Sequence, residues 1–283
     1  MKDFGPAAEF FAQVDQAIAA LKINARRGEL PFFRGHADAS YRLLPTLHRY
    51  LGDASWNRAR RIECDLFFEF EARATGQGKG AGDDWETLFL MRHHGVPTRL
   101  LDWTDALLIA VYFAIGREGT PLPTSPRVHI LNPVALNAVT DGWAYSDLVS
   151  PRFLNRLRHG ETNFTYGEWL AWPREKDEPW PRVKPVALYP AHSNPRLHAQ
   201  RGYFTLHGAD PRPLEAQVPS MLQEVPITQA MIAPLRRLLA DSGINHFNTE
   251  RDFSGLGKDL VAEYFPAAIS GREAGSQDTP KAT

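Results

Sequence analysis

The chain has 283 residues, a formal net charge of −1, 43% hydrophobic and 23% charged residues and one cysteine. At this length about three quarters of the surface of the unfolded chain can be buried, so one core needs no covalent staple, and Cys64 alone excludes an internal disulfide. Near-neutral charge argues against global attraction to nucleic acid or acidic membranes. The longest apolar run, Ala106–Ile115, is about half a membrane span. The first residues, MKDFGPAAEFFAQ, do not fit a secretory signal. The expectation is a soluble protein of the cytoplasm.

In chain order, Phe10, Phe11, Val14, Ile18 and Leu21 recur at helical spacing and predict an amphipathic helix over 7–22. Residues 30–34, LPFFR, read as a short strand whose end Gly35 bends open. Ile62, Leu66 and Phe70 at intervals of four predict a helix over 58–74, followed by a glycine-rich loop over 75–82. A helix capped by Asp83 or Asp84 should stop at Gly95, with Pro97 just beyond. The next helix is expected to begin near Thr104 or Asp105 and to run through an all-apolar stretch to Gly116. The second half favours strands at 128–131, 186–189, 203–206 and 222–227, then helices at 228–242 and about 254–265. The last residues, 269–283, are almost free of apolar side chains and are expected to be disordered. The whole reads as a single α+β domain without internal repeats.

Common catalytic signatures are missing: there is no phosphate loop ending in Lys-Ser or Lys-Thr, no GxSxG, no HExxH and no CxxC. The adjacent pair His93-His94 would diverge by about 100° on a helix, a poor arrangement for one metal, and no metal is expected. Two segments are dense in polar groups beside apolar ones. In Phe33-Arg34-Gly35-His36, an arginine at a strand end next to a glycine suits recognition of a phosphate or diphosphate through paired guanidinium donors, and fits also the commoner case of an arginine paired with a core carboxylate. In His93 to Asp105, HHGVPTRLLDWTD, a short connection between two helices carries Arg99, Asp102 and Trp103. The same residues fit a site on a loop, or a plain connection in which Arg99 pairs with Asp102, Thr104 caps the next helix and Trp103 fills core.

Together, FFRGHADASYRLLPTLHR at 32–49, HHGVPTRLLDWTDALLIAVYFA at 93–114 and QRGYF at 200–204 resemble the FRG domain, a family named for its Phe-Arg-Gly motif. The resemblance spans about 30–206, between an N-terminal helical scaffold over 1–29 and C-terminal elements over 207–268. Arg92 stands where the family pattern would have glutamine. The motif order is in turn similar to that of ADP-ribosyltransferases of the arginine-serine-glutamate type, which implies a split β-sheet core with N-terminal and inserted helices.

On that resemblance Arg34 would hold the diphosphate of NAD, Thr104 would buttress the nicotinamide pocket, and Gln200 would bond a ribose hydroxyl. The set expected around the dinucleotide is Arg34, Gly35, Thr98, Arg99, Trp103 and Thr104. The type's glutamate is missing near Gln200. Cleaving the nicotinamide–ribose bond builds positive charge on the sugar, which a carboxylate stabilises better than an amide. Asp102 is then the candidate for the negative charge, Gln200 for positioning, and His93 or His36 for the general base.

An insertion at about 140–182 carries Trp143, Trp169, Trp172 and Trp180, with Arg152, Arg156 and His159 on one helical face, a pattern that suits stacking on nucleic acid or a packed insertion with a solvated face. The resemblance thus implies an NAD-dependent ADP-ribosyltransferase acting as a toxin or phage-defence effector. Its acceptor would be a macromolecule, RNA or another nucleic acid, with an antitoxin protein as a further partner. The alternatives are a non-catalytic nucleotide-binding sensor and an NAD glycohydrolase.

Overall fold

The computed structural model describes residues 5–24, 29–52, 56–75, 84–117, 120–141, 184–188, 200–250, 259–260 and 264. The glycine-rich loop, the tryptophan-bearing insertion, most of the expected 254–265 helix and the C-terminal tail lie outside the described residues. The described elements are helices α1 (Gly5–Ala20), α2 (Thr46–Leu51), α3 (Trp56–Thr75), α4 (Asp84–His93), α5 (Leu107–Ile115), α6 (Pro133–Asp141), α7 (Leu214–Gln217), α8 (Gln229–Asp241) and α9 (His246–Glu250), and strands β1 (Phe32–His36), β2 (Leu100–Thr104), β3 (Arg127–Leu131), β4 (Val186–Leu188), β5 (Gly202–Leu206) and β6 (Leu222–Pro226). This is the mixed α+β architecture expected. No helix among the described residues is long and apolar enough to cross a membrane.

The strands form one antiparallel sheet in the order β4-β5-β2-β1-β3-β6. Alternation along each strand splits the core by face. Phe33, Val128, Ile130 and Val225 point to one face, where α1, α5 and α8 cover β1, β3 and β6. On the other half of the sheet Leu100, Phe204 and Leu206 pack with Phe67, Trp85 and Phe89 of α3 and α4. Phe32, Leu101 and Trp103 face the opposite side, under Leu136 of α6 and Leu214 of α7.

The centre of the sheet is its weak seam. β1 pairs with β3 through all five of its residues, and β2 with β5 through all five, but β1 and β2 share only the pair Phe33–Thr104. Beyond that pair the two strands separate, so backbone groups on both edges are released from the ladder.

Three expectations are corrected here. Residues 100–104 are a central strand and not part of a helix-to-helix loop. Leu100 and Leu101, both buried, supply the two-faced apolar pattern of an interior strand. Helix α5 therefore begins at Leu107, and Thr104 ends β2: its Oγ1 accepts the Ala106 N–H at 3.0 Å across a two-residue turn. Gly35 does not open the strand end. It sits within β1 opposite Val128, and a methyl group there would lie 1.9 Å from the Ala110 carbonyl oxygen, so glycine is what lets α5 lie directly on β1.

The Gly95 stop is as expected. With φ of +80° it closes α4, and the Val96 N–H donates to the Met91 carbonyl at 2.9 Å. Helix α6 was not expected, although Asn132-Pro133 is a cap followed by a first-turn proline. Asn132 Oδ1 accepts the Ala135 N–H at 2.9 Å.

Candidate functional site

The opening between β1 and β2 leads into a cavity of about 770 Å³. Its wall takes Arg34 and His36 from β1, Arg92 and His93 from the end of α4, Asp102 and Thr104 from β2, and Gln200 from the turn before β5. Residues up to 166 positions apart in sequence thus share one wall. Arg34 lies where the strands part, and its Nη1 donates to the released Asp102 carbonyl at 2.7 Å. Its Nε donates to His36 Nε2 at 3.0 Å, and Nη1 stands 3.7 Å from Asp102 Oδ2.

Asp102 is the only acid among the described residues lining the cavity, and its charge is already engaged. Arg92 grips it as a fork: Nε lies 3.1 and 3.0 Å from the two carboxylate oxygens, and Nη2 also donates to Oδ2. Burial pushes the Asp102 carboxyl up, but Arg92 and then Arg34 outweigh it and hold the group below the usual carboxylate range. Burial, with Arg92 and Arg49 against the help of Asp102, brings Arg34 down to about 10, so it stays charged at neutral pH.

His36 is a poor general base, which corrects one of its expected roles. Burial, then the charges of Arg34 and His129, lower it to about 3. Because Nε2 accepts from Arg34, the ring proton of the neutral tautomer sits on Nδ1. His93 lines the cavity, its ring 4.7 Å from that of His94 and nearly perpendicular to it.

Gln200 owes its place to a stitched turn. Thr104 Oγ1 donates to the Gln200 carbonyl at 2.8 Å, and the Arg201 carbonyl accepts the Asp105 N–H at 3.4 Å. Arg201 adopts φ of +46° there, a conformation costing about 1–2 kcal/mol for a residue with a Cβ, and its ion pair with Asp105 at 2.6 Å helps hold it. With one hydrogen bond donated and one accepted, the Thr104 hydroxyl ties the exit of β2 to the entrance of β5.

Two expected members stand outside the wall. Thr98 is wholly buried, its carbonyl accepting the Leu47 N–H and its hydroxyl the Leu100 N–H. Arg99, 1% exposed, forms a sealed ion pair with Glu63 of α3 and donates to the His207 carbonyl at 3.1 Å. Glu63, and not Asp102, is the carboxylate partner of Arg99, and the pair braces α3 against the start of β2. Trp103 is buried as expected and touches the cavity, but it packs on the face away from α5, with its Nε1–H donating to Thr205 Oγ1 at 3.1 Å.

Sequence reasoning missed Arg49, Tyr41 and Phe113, which also line the cavity. Tyr41 and Phe113 are 58% and 44% exposed, far more than aromatics in a closed core. Thr46 and Arg49 lie three apart, the spacing that places side chains on one helix face, but α2 is too short to announce itself by periodicity.

No curated protein and no solved structure matches the chain. A family model matches residues 30–121, which hold β1, α2, β2, α5 and most of the cavity wall, and leaves Gln200 outside. The Phe-Arg-Gly strand and the Leu-Leu-Asp-Trp-Thr strand that meet at the centre of the sheet both fall within that match, and the chain carries an FRG domain at residues 30–121.

Proposed function

We propose that the cavity binds NAD and that the chain is an ADP-ribosyltransferase-like effector modifying a macromolecular acceptor, RNA or another nucleic acid among the candidates. A single observation carries the reading: Arg34, Thr104 and Gln200, assigned to one dinucleotide by motif resemblance, and Asp102, chosen by residue type for the missing negative charge, line one cavity where the central strands part. A volume of about 770 Å³ accommodates a dinucleotide. The guanidinium of Arg34 suits a diphosphate, and the exposed rings of Tyr41 and Phe113 suit the flat face of a base.

NAD supplies a nicotinamide–ribose bond whose electrons leave with nicotinamide, while an acceptor heteroatom forms the new bond to the ribose and gives up its proton. In this chain His93 is the wall residue suited to take that proton. Gln200 orients the ribose, and Thr104 holds Gln200 in place through its backbone. Asp102 faces the developing positive charge on the sugar with a carboxylate that Arg92 already neutralises in part.

That last point favours a second reading, a nucleotide-binding sensor without turnover. Incubating the purified chain with radiolabelled NAD, alone and with RNA, DNA or protein extract, separates the two. Label transferred to an acceptor supports the transferase. Nicotinamide released without transfer indicates a glycohydrolase, and saturable binding with neither supports the sensor. Absence of NAD binding overturns every form of the reading.

A further inference from the structure

Beyond Arg34, the cavity wall carries an arrangement of charge to which neither the sequence motifs nor the family match assigns a role. Arg34 contacts Asp102, Asp102 is held by Arg92, Arg92 Nη1 donates to Thr46 Oγ1 at 3.0 Å, and Arg49 Nη2 donates to the same oxygen at 2.9 Å. A hydroxyl oxygen has two lone pairs, and here both go to guanidinium groups. Three arginines and one carboxylate therefore form one continuous network along the wall, with two positive charges in excess. The fourth arginine of the wall, Arg42, is paired with Glu215 at 2.6 Å.

Surplus positive charge is costly where it is largely withdrawn from water, as it is at Arg34 and Arg92, whose side chains are 20% and 19% exposed. Arg99 and Glu63, the sealed pair at the other end of β2, match one for one. Arg49 has no acid partner among the described residues and is itself exposed, and its charge reaches inward far enough to oppose protonation of both Arg34 and His36. An anion of two charges held by Arg34 and Arg49 would balance the network, and the diphosphate of a dinucleotide carries that charge.

We propose that Arg34, Arg92 and Arg49, linked through Asp102 and Thr46, form a two-charge anion site for the diphosphate of the ligand, with Arg49 as its outer arm. This rests on the nucleotide reading above and deepens it, because it moves the diphosphate from one arginine to a site spanning β1, α4 and α2. Arg92 positions Asp102 and Thr46, and Arg34 and Arg49 make the contacts.

The test is calorimetric titration of the full chain and of Arg49→Ala and Arg49→Lys with inorganic pyrophosphate, ADP-ribose and adenosine, at several salt concentrations. Loss of one charged contact corresponds to about tenfold to hundredfold weaker binding. Arg49→Ala should therefore weaken pyrophosphate and ADP-ribose by that factor, flatten their salt dependence and leave adenosine unchanged, while Arg49→Lys recovers part of the loss. Arg49 is exposed, so the melting temperature should hold in both variants. ADP-ribose bound equally by wild type and Arg49→Ala would overturn the proposal and leave the nucleotide reading standing. Arg49-dependent binding of pyrophosphate without any binding of ADP-ribose would overturn the nucleotide reading and leave the anion site standing. Wild type that binds neither overturns both.

Discussion

Two arginines close to β2 live in similar company and come to opposite ends. Arg99, just before the strand, sits with a carboxylate, Glu63, and two neutral histidines, His48 and His207. Arg34, beside the strand's far half, sits with a carboxylate, Asp102, and two neutral histidines, His36 and His129. The first cluster is sealed and its charges match. The second opens on a cavity, with Arg92 and Arg49 added and no further acid among the described residues that line it, while Glu224 and Glu215 act on its outer histidine, His129. Ion pairing is common to both, and what marks the site is the surplus of charge together with access to solvent-filled space.

The sealed cluster should break hardest. Replacing Glu63 with Ala strands the Arg99 charge in the interior, and removing one partner of a buried pair costs about 3–5 kcal/mol. For a chain of this size a loss of 3–5 kcal/mol lowers the melting temperature by roughly 6 to 20 °C. The same substitution should leave nucleotide affinity unchanged at temperatures where the variant is folded. A small shift in melting, or a large shift in affinity, would mean that Arg99 belongs with the site.

The open cluster should answer in the reverse order. Arg34→Ala removes a charge-assisted contact of about 1.5–3 kcal/mol, so ADP-ribose or NAD should bind about one to two orders of magnitude more weakly, with melting changed far less than in Glu63→Ala. The freed Asp102 carbonyl opens on the cavity, where water can replace the lost donor. Calorimetric titration alongside thermal melting checks both halves. If Arg34→Ala unfolds as readily as Glu63→Ala, the two clusters are structural alike.

Much of this contrast lay beyond sequence reasoning, for identifiable reasons. Helices α1 and α3 show themselves through apolar periodicity, and Gly95 announces the end of α4 by turn chemistry. The motif residues Arg34, Asp102 and Gln200 were found as candidates because each stands beside apolar neighbours in a segment resembling a known family. What sequence could not supply was the partner of each charge. Asp102 lies three residues from Arg99 and pairs instead with Arg92, because alternation in a strand turns residues 99 and 102 to different surroundings. Once residues 93–105 were read as a loop, that alternation was invisible. Gly35 has two neighbours that sequence could not tell apart: it lines the cavity, and its missing side chain admits the backbone of α5. Thr46 and Arg49 carried too weak a helical signal to be noticed, and their meaning depends on Arg92 arriving from another helix.

The histidines compare the clusters most finely. His36 is lowered to about 3 and His48 and His129 to about 4, with burial the largest cause in each, and His207 lies well below its ordinary value of 6.5 for the same reason. A histidine lowered on folding is neutral in the native state while the unfolded chain takes up a proton below about pH 6.5. Its contribution is therefore fully present above that value and is lost as pH falls towards the folded value, at about 1.4 kcal/mol per pH unit for each proton taken up on unfolding. Denaturant unfolding between pH 7 and pH 4 should show stability falling with acid, and His129→Gln and His207→Gln should each reduce the slope by up to that amount. The clusters should part once an anion is present. Pyrophosphate seated near Arg34 adds negative charge beside His36 and His129 and favours their protonated forms, whereas His48 and His207, sealed behind β2, have no such neighbour. Followed through their ring resonances in a pH titration, His36 and His129 should therefore titrate at higher pH when pyrophosphate is added, while His48 and His207 stay unchanged. Equal movement in all four rings, or in none, would show that the cavity does not single out the Arg34 cluster as the place where an anion is bound.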